Sequence, residues 1–186
     1  MPELANRKRL LETAARVFAE REYHGATVKD IVDEAGVSVG LFYFYFKNKE
    51  DLLENLYDEI TSMILGAIER GASSGDLGSM EKGCNVVVTI FVFFQTRREL
   101  AKVMLIEAVG LNPRFEQKRI EGLKKLLIGT EQNLEAFQKS GHINVPDVKV
   151  AAMAIHGATY QIIMNWLYEE TPVNLTDLAY PLAQVS

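Results

Sequence analysis

The sequence is poor in residues that cross-link or interrupt a chain. Of its 186 residues one is cysteine, Cys84, and five are proline. A single cysteine excludes an intramolecular disulfide and a cysteine-paired metal site. No apolar run reaches the roughly 18–20 residues that span a bilayer, and the N-terminus lacks the apolar segment of a signal peptide. We therefore predict an ordered cytoplasmic protein that does not enter a membrane.

Sequence patterns typical of catalysis are also missing. The three histidines, His24, His142 and His156, are far apart in the chain. No HExxH, GxSxG, Cys-His or phosphate-loop spacing occurs, and the paired carboxylates lie on charged helix faces where solvation explains them. We predict that the protein is not an enzyme and uses no metal or cofactor.

The net charge of −5 argues against nucleic-acid binding by the surface as a whole. The charge is, however, unevenly distributed along the chain. Residues 1–50 contain eight Lys and Arg and eight Asp and Glu, whereas the remaining residues contain 12 and 17. The N-terminal part is thus basic relative to the rest, which permits a local surface for nucleic acid there.

Hydrophobic periodicity predicts helices along nearly the whole chain. An apolar stripe marks a first helix near 4–22, formed by Leu10, Leu11, Ala14, Val17 and Phe18. Thr27 and Ser38 are predicted N-caps of two short helices, and Gly36 ends the first of these. Asn48 can cap a long fourth helix that ends at Gly71. Later helices are predicted near 80–95, 97–109, 113–140, 147–168 and 174–184.

The segment "NVVVTIFVFF" is ambiguous, because its β-branched residues favour a strand locally. No partner strand is visible elsewhere in the sequence, so we predict a buried helix here.

Two short helices joined by a glycine-containing turn and braced by a preceding helix form a helix-turn-helix, whose second helix enters the DNA major groove. A spacing of about 100° per residue divides that helix into two faces. The residues predicted to pack on the scaffold are Val39, Phe42 and Phe46. The residues predicted on the opposite side are Gly40, Tyr43 and Lys47. Lys47 also fits a solvated charge, and Tyr45 also fits half-buried packing.

The segment "TVKDIVDEAGVSVGLFYFYFKNKEDLL" closely resembles the DNA-binding signature of the TetR family of bacterial transcriptional regulators. The matching positions are Phe18, Tyr23, Thr27, Ile31, Ala35, Gly36, Val37, Ser38, Gly40, Tyr43, Tyr45, Phe46, Lys49, Glu50 and Leu53. The resemblance implies an all-α fold. An N-terminal three-helix helix-turn-helix DNA-binding domain would span residues 1–47, and a C-terminal helical ligand-binding and dimerisation domain residues 48–186.

By this resemblance, eight residues would contact double-stranded operator DNA. Those on the phosphate backbone would be Thr27, Ser38, Tyr43, Tyr45 and Lys49. Those facing base edges would be Val39, Gly40 and Leu41. The chain departs from the family pattern in three features: Glu22 replaces a common glycine, Ala26 replaces a frequent threonine, and the reading edge carries apolar Val39 and Leu41. Apolar side chains contact thymine methyl groups, so we expect a T-rich operator at these steps.

The resemblance further implies a homodimer on a palindromic operator and a small hydrophobic effector that releases it. The candidate effector residues are Asn85, Phe91, Phe94, Met104, Glu107, His156 and Tyr160. The candidate dimer-interface residues are Ala152, Ile155, Thr159, Ile162, Trp166, Leu178 and Leu182. These dimer residues also fit an ordinary core, His156 also fits a hydrogen-bonded interface residue, and the absence of any effector stays open.

The predicted function is a ligand-responsive transcriptional regulator, with repression the commoner mode of the family. The alternative is a helical protein–protein adaptor that retains the helix-turn-helix as a scaffold. Charge reversal at Lys49 or loss of Tyr43 distinguishes the two, because only the regulator would lose operator binding.

Overall fold

The computed structural model of the chain describes residues 2–73, 79–141, 143–169, 174–179 and 182, with side chains described for 4–70 and from 86 onward. These residues form helices and no β-strand. The α-helices are α1 (Pro2–Gly25), α2 (Val28–Ala35), α3 (Val39–Tyr45), α4 (Lys49–Ser73), α5 (Ser79–Gln95), α6 (Arg98–Lys102), α7 (Pro113–Lys139) and α8 (Val148–Tyr168). A π-helix (Val103–Glu107) follows α6, and a 3-10 helix (Leu175–Leu178) follows α8. None of the helices described is both long and apolar enough to cross a membrane.

The described helices belong to two compact units. Unit 1 comprises Met1–Ile60 with Glu99–Ile120, and unit 2 comprises Thr61–Arg98 with Glu121–Ser186. Helices α4 and α7 therefore each contribute residues to both units. The predicted functional boundary after residue 47 stays a prediction.

The apolar stripe predicted on the first helix forms much of the core of unit 1. Its members are at most 2% exposed: Leu10, Leu11, Ala14, Val17 and Phe18. Ile31 of α2, Phe42 of α3 and Phe46, the residue that follows α3, are buried as well. Full burial of each large apolar side chain stabilises the fold by roughly 1.5–3 kcal/mol. The predicted stripe is confirmed as the buried side of α1, and α2 packs against that helix.

Helix α1 contains a break at Glu22, where the sequence analysis placed the end of the helix. Glu22 has φ 60° and ψ 158°, a backbone conformation that a non-glycine residue adopts only with strain. Beyond it the helix resumes as far as Gly25. The resemblance implies that glycine is common at this position, and glycine would adopt this backbone conformation without the strain.

Two side chains of the segment after α5 satisfy the backbone groups that this break releases. A regular helix would join the Tyr23 N–H to the Ala19 carbonyl. Instead the Tyr23 N–H donates to Glu107 Oε2 over 2.9 Å, and Lys102 Nζ donates to the Ala19 carbonyl oxygen. Lys102 and Glu107 also approach each other, with Nζ and Oε1 3.9 Å apart. The break thus costs no unpaired backbone group at these two positions.

We expect Glu22→Gly to raise the melting temperature. Relief of the strained φ is worth about 1–3 kcal/mol, and the greater chain entropy of glycine opposes it by about 0.5–1 kcal/mol. A net gain near 1 kcal/mol corresponds to about 2–4 °C for a chain of this size, measured by calorimetry. Glu20→Gly is the matched control, since Glu20 lies in regular helix and its replacement should destabilise; equal effects would contradict the strain argument.

The start of α7 is fastened to the first half of α4 within unit 1. Asn112 Nδ2 donates to Glu50 Oε1 over 3.0 Å, and Lys118 Nζ lies 2.6 Å from Asp58 Oδ2. The ring of Tyr57 meets that of Phe115 edge to face, with centroids 5.7 Å apart. These contacts fix the orientation of the α4 segment that follows the helix-turn-helix.

The interior of unit 2 is built on α5, α7 and α8. The segment "NVVVTIFVFF" lies in α5. The predicted helix is therefore confirmed, although the β-branched residues of the segment favour a strand locally. Its Phe91 and Phe94 are buried, as are Leu126 of α7 and Trp166 of α8. Two predicted helices are not α-helical throughout. The helix predicted near 97–109 becomes a π-helix at Val103, and the helix predicted near 174–184 begins as a 3-10 helix at Leu175.

Candidate nucleic-acid interface

The three helices at the N-terminus are positioned by local capping. Thr27 and Asp30 form a reciprocal capping box, in which the Asp30 N–H donates to Thr27 Oγ1 and the Thr27 N–H donates to Asp30 Oδ2. Gly36 adopts φ 62°, and the next amide, of Val37, closes the helix end on the Val32 carbonyl over 3.0 Å. Ser38 Oγ then accepts the Leu41 N–H at the start of α3. The Asp51 N–H donates to Asn48 Oδ1 over 2.8 Å at the start of α4. All four predicted caps are thus confirmed, and the turn between α2 and α3 has three residues.

Helix α3 has one buried side and one solvent-facing side. The buried side chains are Phe42 and Phe46. The solvent-facing residues, which we call the outer face, are Val39, Gly40, Tyr43, Phe44 and Lys47. Leu41 and Tyr45 lie at its two edges and are partly buried. The outer face combines apolar surface, a phenol and an ammonium in a strip that a DNA groove can accept.

Val39 does not pack with Phe42 and Phe46 as its spacing predicted, since 49% of its surface is exposed. It is the first residue of α3, and the burial of the helix begins only with the next turn. Phe44 is the residue that the sequence analysis missed, with 68% exposed and its ring 4.9 Å from that of Tyr45. The helical spacing that placed Gly40 and Tyr43 outward also places Phe44 there, so the signal was present.

The hydroxyl of Thr27 already has a partner in the chain. Thr27 Oγ1 donates to Asp30 Oδ2 over 2.6 Å, and this hydrogen bond is the main reason that the pKa of Asp30 is lowered. Arg21 lies beside the same carboxylate, with Nη1 2.5 Å from Oδ1. A phosphate contact by Thr27 would have to compete with Asp30, whereas the Ser38 side chain is exposed next to the outer face.

Lys49 lies at the first position of α4, but its ammonium points back into unit 1. Nζ donates to the carbonyl oxygens of Tyr23 and Ala26 over 2.6 and 2.7 Å and lies 4.2 Å from the centre of the Tyr23 ring. Burial lowers the pKa of Lys49. The side chain therefore ties the end of α1 to the start of α4, a role that the predicted phosphate contact did not include.

The predicted effector residues are divided between the two units. Phe91 and Phe94 are buried in unit 2, whereas 45% of Tyr160 is exposed. Met104 and Glu107 belong to unit 1, where the Glu107 carboxylate is occupied by the Tyr23 N–H. The side chain of Asn85 lies outside the described residues. The members that belong to unit 2 with described side chains are Phe91, Phe94, His156 and Tyr160, and the effector site stays a prediction.

His156 lies inside unit 2 beside α7. Its Nε2 is 2.9 Å from Thr130 Oγ1, and Thr130 in turn donates to the Leu126 carbonyl over 3.2 Å. Burial lowers the pKa of His156 from 6.5, and a hydrogen bond with the Leu126 backbone opposes this in part. Burial favours the neutral imidazole, which is hydrogen-bonded to Thr130 within unit 2. The choice between an effector contact and a hydrogen-bonded interface residue stays a prediction.

We expect the stability of unit 2 to fall as the pH drops below 6.5. The folded pKa of His156 lies below its unfolded value, so the unfolded chain takes up the proton first. The free energy of unfolding should fall by at most about 1.4 kcal/mol per pH unit below pH 6.5. Urea unfolding at pH 7 and pH 5 tests this. His156→Gln should reduce the loss and His24→Gln, at an exposed position, should not; equal losses in all three proteins would contradict the assignment.

Helix α8 turns a different side to solvent from the one predicted to form a dimer interface. Ala152 and Trp166 are at most 2% exposed, and Ile155, Thr159 and Ile162 are partly buried beside them. Burial of Ala152 and Trp166 agrees with the core alternative at those two positions, and the predicted dimer interface stays a prediction. Leu178 and Leu182 are partly buried. The exposed residues of α8 include Lys149, Ala154, Gln161 and Asn165. Beside them lies an exposed strip, which we call the α8 stripe, of Val150, Met153, Gly157, Tyr160 and Tyr168.

Comparison with known proteins agrees with this arrangement. Residues 10–56 match the model of the bacterial regulatory proteins of the tetR family. The fatty acid metabolism regulator protein of Bacillus subtilis is 30% identical over 171 residues, which are 91% of this chain and 88% of that protein.

Two solved structures share the fold over almost the whole chain. FadR of Bacillus subtilis in complex with stearoyl-CoA has a TM-score of 0.86 at 28% identity, covering 96% of each chain. The fatty acid degradation regulator FadR of Bacillus halodurans has a TM-score of 0.89 at 28% identity, covering 97% of this chain and 93% of that one. The chain belongs to the TetR family of bacterial transcriptional regulators.

Proposed function

We propose that this regulator binds a palindromic operator in the cytoplasm as a homodimer, represses transcription there, and is released by a long-chain acyl effector. The outer face of α3 is the observation that carries the proposal. Its Val39, Tyr43 and Phe44 are 49–68% exposed, on a helix whose opposite side is anchored by Phe42 and Phe46. A monomeric soluble protein rarely leaves so much apolar surface together without a partner. A helical adaptor is less well supported, since the relatives are transcriptional regulators.

The chemistry of the outer face suits a thymine-containing major groove. Val39 and Phe44 offer apolar contacts for thymine methyl groups and deoxyribose, and the Tyr43 hydroxyl can donate to a phosphate oxygen. Gly40 has no side chain to hold the helix backbone away from the base edges. Lys47 adds a cation at the end of the strip.

The α8 stripe supports the homodimer. Val150, Met153 and Tyr160 are 45–56% exposed on one side of a single helix, and Gly157 between them allows another helix to approach closely. A two-fold protein matches a two-fold operator, and a two-fold interface joins the same patch of both copies. The α8 stripe is the patch that we propose.

The acyl effector is suggested by the Bacillus subtilis FadR structure, which contains stearoyl-CoA. The interior of unit 2 has the apolar side chains that an acyl chain requires, among them Phe91 and Phe94 of α5 and Ile163 of α8. Helix α4 contributes to both units, and its first residue, Lys49, bonds to the end of α1. Effector binding that favours one position of α4 would shift the population of recognition-helix arrangements and lower operator affinity.

The operator test uses DNA selected from a random pool and measured by fluorescence anisotropy. We expect Phe44→Ala to weaken binding by about 5-fold to 150-fold, the range for loss of one specific base contact. Val109→Ala is the control, since Val109 is also 49% exposed in unit 1 but lies outside the outer face. Unchanged affinity in Phe44→Ala would exclude Phe44 from the interface, and a wild-type protein that selects no sequence would favour the adaptor.

The dimer and the effector are tested separately. Met153→Lys should yield monomers by sedimentation and lose operator affinity, whereas Val109→Lys should do neither. Stearoyl-CoA should release the bound operator and CoA should not. A protein that remains dimeric after Met153→Lys would contradict the proposed interface, and an operator complex insensitive to stearoyl-CoA would contradict the proposed effector.

A further inference from the structure

Arg98, the first residue of α6, lies against the C-terminal turns of α8 within unit 2. Its Nη2 donates to the Leu167 carbonyl oxygen over 2.8 Å, and its guanidinium carbon lies 4.4 Å from the centre of the Trp166 ring. The side chain is partly buried. The stacking on an indole and the bond to a carbonyl fix the orientation of the guanidinium.

Two donors at this place have no acceptor among the described residues. Arg98 Nη1 is buried without a hydrogen-bond partner, and so is Trp166 Nε1, whose side chain is only 2% exposed. Thr159 Oγ1 is a third buried polar atom without a partner, and it lies on the same side of α8, two turns before Trp166. No carboxylate within the described part of the chain pairs with the Arg98 guanidinium.

Unpaired buried donors are costly, and a buried cation without a counter-charge is more so. Native proteins leave few such groups, and each that persists requires an explanation such as a functional role or a bound water or ion. A guanidinium with one occupied and one unoccupied nitrogen lies over the indole ring, whose own N–H is also unpaired. These are donors of the kind that carboxylate and phosphate oxygens accept.

We propose that Arg98 and Trp166 form a subsite for the anionic group of the effector, a carboxylate or a phosphate, at the end of the apolar interior of unit 2. This subsite rests on the proposed acyl effector and specifies what holds its polar end. The acyl chain would extend along the inner side of α8 past Thr159, whose hydroxyl is the remaining unpaired polar atom there.

The neighbouring Arg97 offers a matched control. It carries the same charge and lies over the Phe93 ring at 5.1 Å, but it is exposed and its Nη1 already donates to Thr96 Oγ1 over 3.0 Å. Arg97→Gln and Arg98→Gln each remove one positive charge, and the two positions are adjacent in the chain. Only the replacement of Arg98 removes the buried donor.

The experiment uses the emission of Trp166, which is the single tryptophan of the chain and belongs to the subsite. Wild type, Arg98→Gln and Arg97→Gln are titrated with stearoyl-CoA, with stearate and with uncharged methyl stearate. We expect Arg98→Gln to bind the anionic ligands about 10-fold to 100-fold more weakly, as loss of a charge-assisted hydrogen bond implies. Arg97→Gln should match wild type, and methyl stearate should not distinguish the three proteins. Thermal unfolding of the unliganded variants verifies that each is folded, and Arg98→Lys, which keeps the charge, should recover part of the affinity.

The ligands identify the source of the anion. A loss confined to stearate assigns the carboxylate, and a loss confined to stearoyl-CoA assigns a phosphate; both support the subsite. If folded Arg98→Gln binds every ligand within twofold of wild type, the subsite is wrong while the acyl effector stands. If wild type binds neither anionic ligand, the acyl effector is wrong and the subsite falls with it.

Discussion

Gly40→Asp should abolish high-affinity operator binding while leaving the protein at least as stable as the wild type. A Cβ at Gly40 would meet nothing closer than Ser38 Oγ at 3.9 Å, so the folded chain has room for the side chain. An acidic residue in the first turn of α3 also interacts favourably with the helix dipole. On the DNA the same carboxylate would enter the groove at the base edges that Gly40 is predicted to face, in the negative field of the phosphates on both sides. Like-charge contacts of this kind cost several kcal/mol, so we expect the affinity to fall by roughly 100-fold or more.

Gly40→Ala separates the size of the side chain from its charge. Alanine should raise the free energy of unfolding by up to about 0.5–1 kcal/mol, because glycine is unfavourable within a helix. It should weaken operator binding less than aspartate does, and the weakening should depend little on salt. Urea unfolding and anisotropy titrations at two salt concentrations measure both effects. If Gly40→Asp retained wild-type affinity, the outer face would not be the DNA-binding surface.

The helix-turn-helix was predictable because its determinants are local. The Thr27 cap, the left-handed Gly36 and the Ser38 cap each act within a few residues of their own position, and the structure contains all three. Burial of Phe42 and Phe46 follows from helical spacing once those caps set the phase of α3. Sequence alone therefore carried enough information for the local fold of this element.

Which side of α8 faces inward was not predictable from periodicity. The helix is apolar around most of its circumference, with Ala152 and Trp166 on one side and Val150 and Met153 on the other. A hydrophobic pattern identifies a buried side only when the opposite side is polar. The choice is made by packing against α5 and the 3-10 helix, which no local feature of the sequence encodes.

The bonds at the break in α1 lie beyond sequence analysis for another reason. Glu107 reaches the Tyr23 amide across 84 residues, and Lys102 reaches the Ala19 carbonyl across 83. The sequence predicts an effector contact for Glu107, because one acid on a partly apolar helix fits that role as well as it fits a structural one. The resemblance marked Glu22 as unusual but gave no indication of what compensates for it.

Lys49→Met should destabilise unit 1 by roughly 2–4 kcal/mol, because two carbonyl oxygens lose a charged donor. Methionine keeps the apolar stem of the side chain, so the change isolates the ammonium with its bonds to Tyr23 and Ala26. Burial, which lowers the pKa of Lys49, offsets part of the gain from these bonds in the wild type. Operator affinity should fall as well, because the end of α1 is no longer fixed to the start of α4. Urea unfolding and anisotropy measure the two effects.

Lys47→Met is the matched control, because it removes the same charge two residues earlier from an exposed side chain. Its stability should change by no more than about 0.5 kcal/mol, as expected for an exposed position. Any loss of operator affinity in Lys47→Met then measures the contribution of a surface charge alone. If Lys49→Met unfolded like wild type and lost only as much affinity as Lys47→Met, Lys49 would act as a phosphate contact and not as a tie between helices. A larger loss of both stability and affinity would show that the carbonyl bonds hold the recognition helix in place from the first turn of α4.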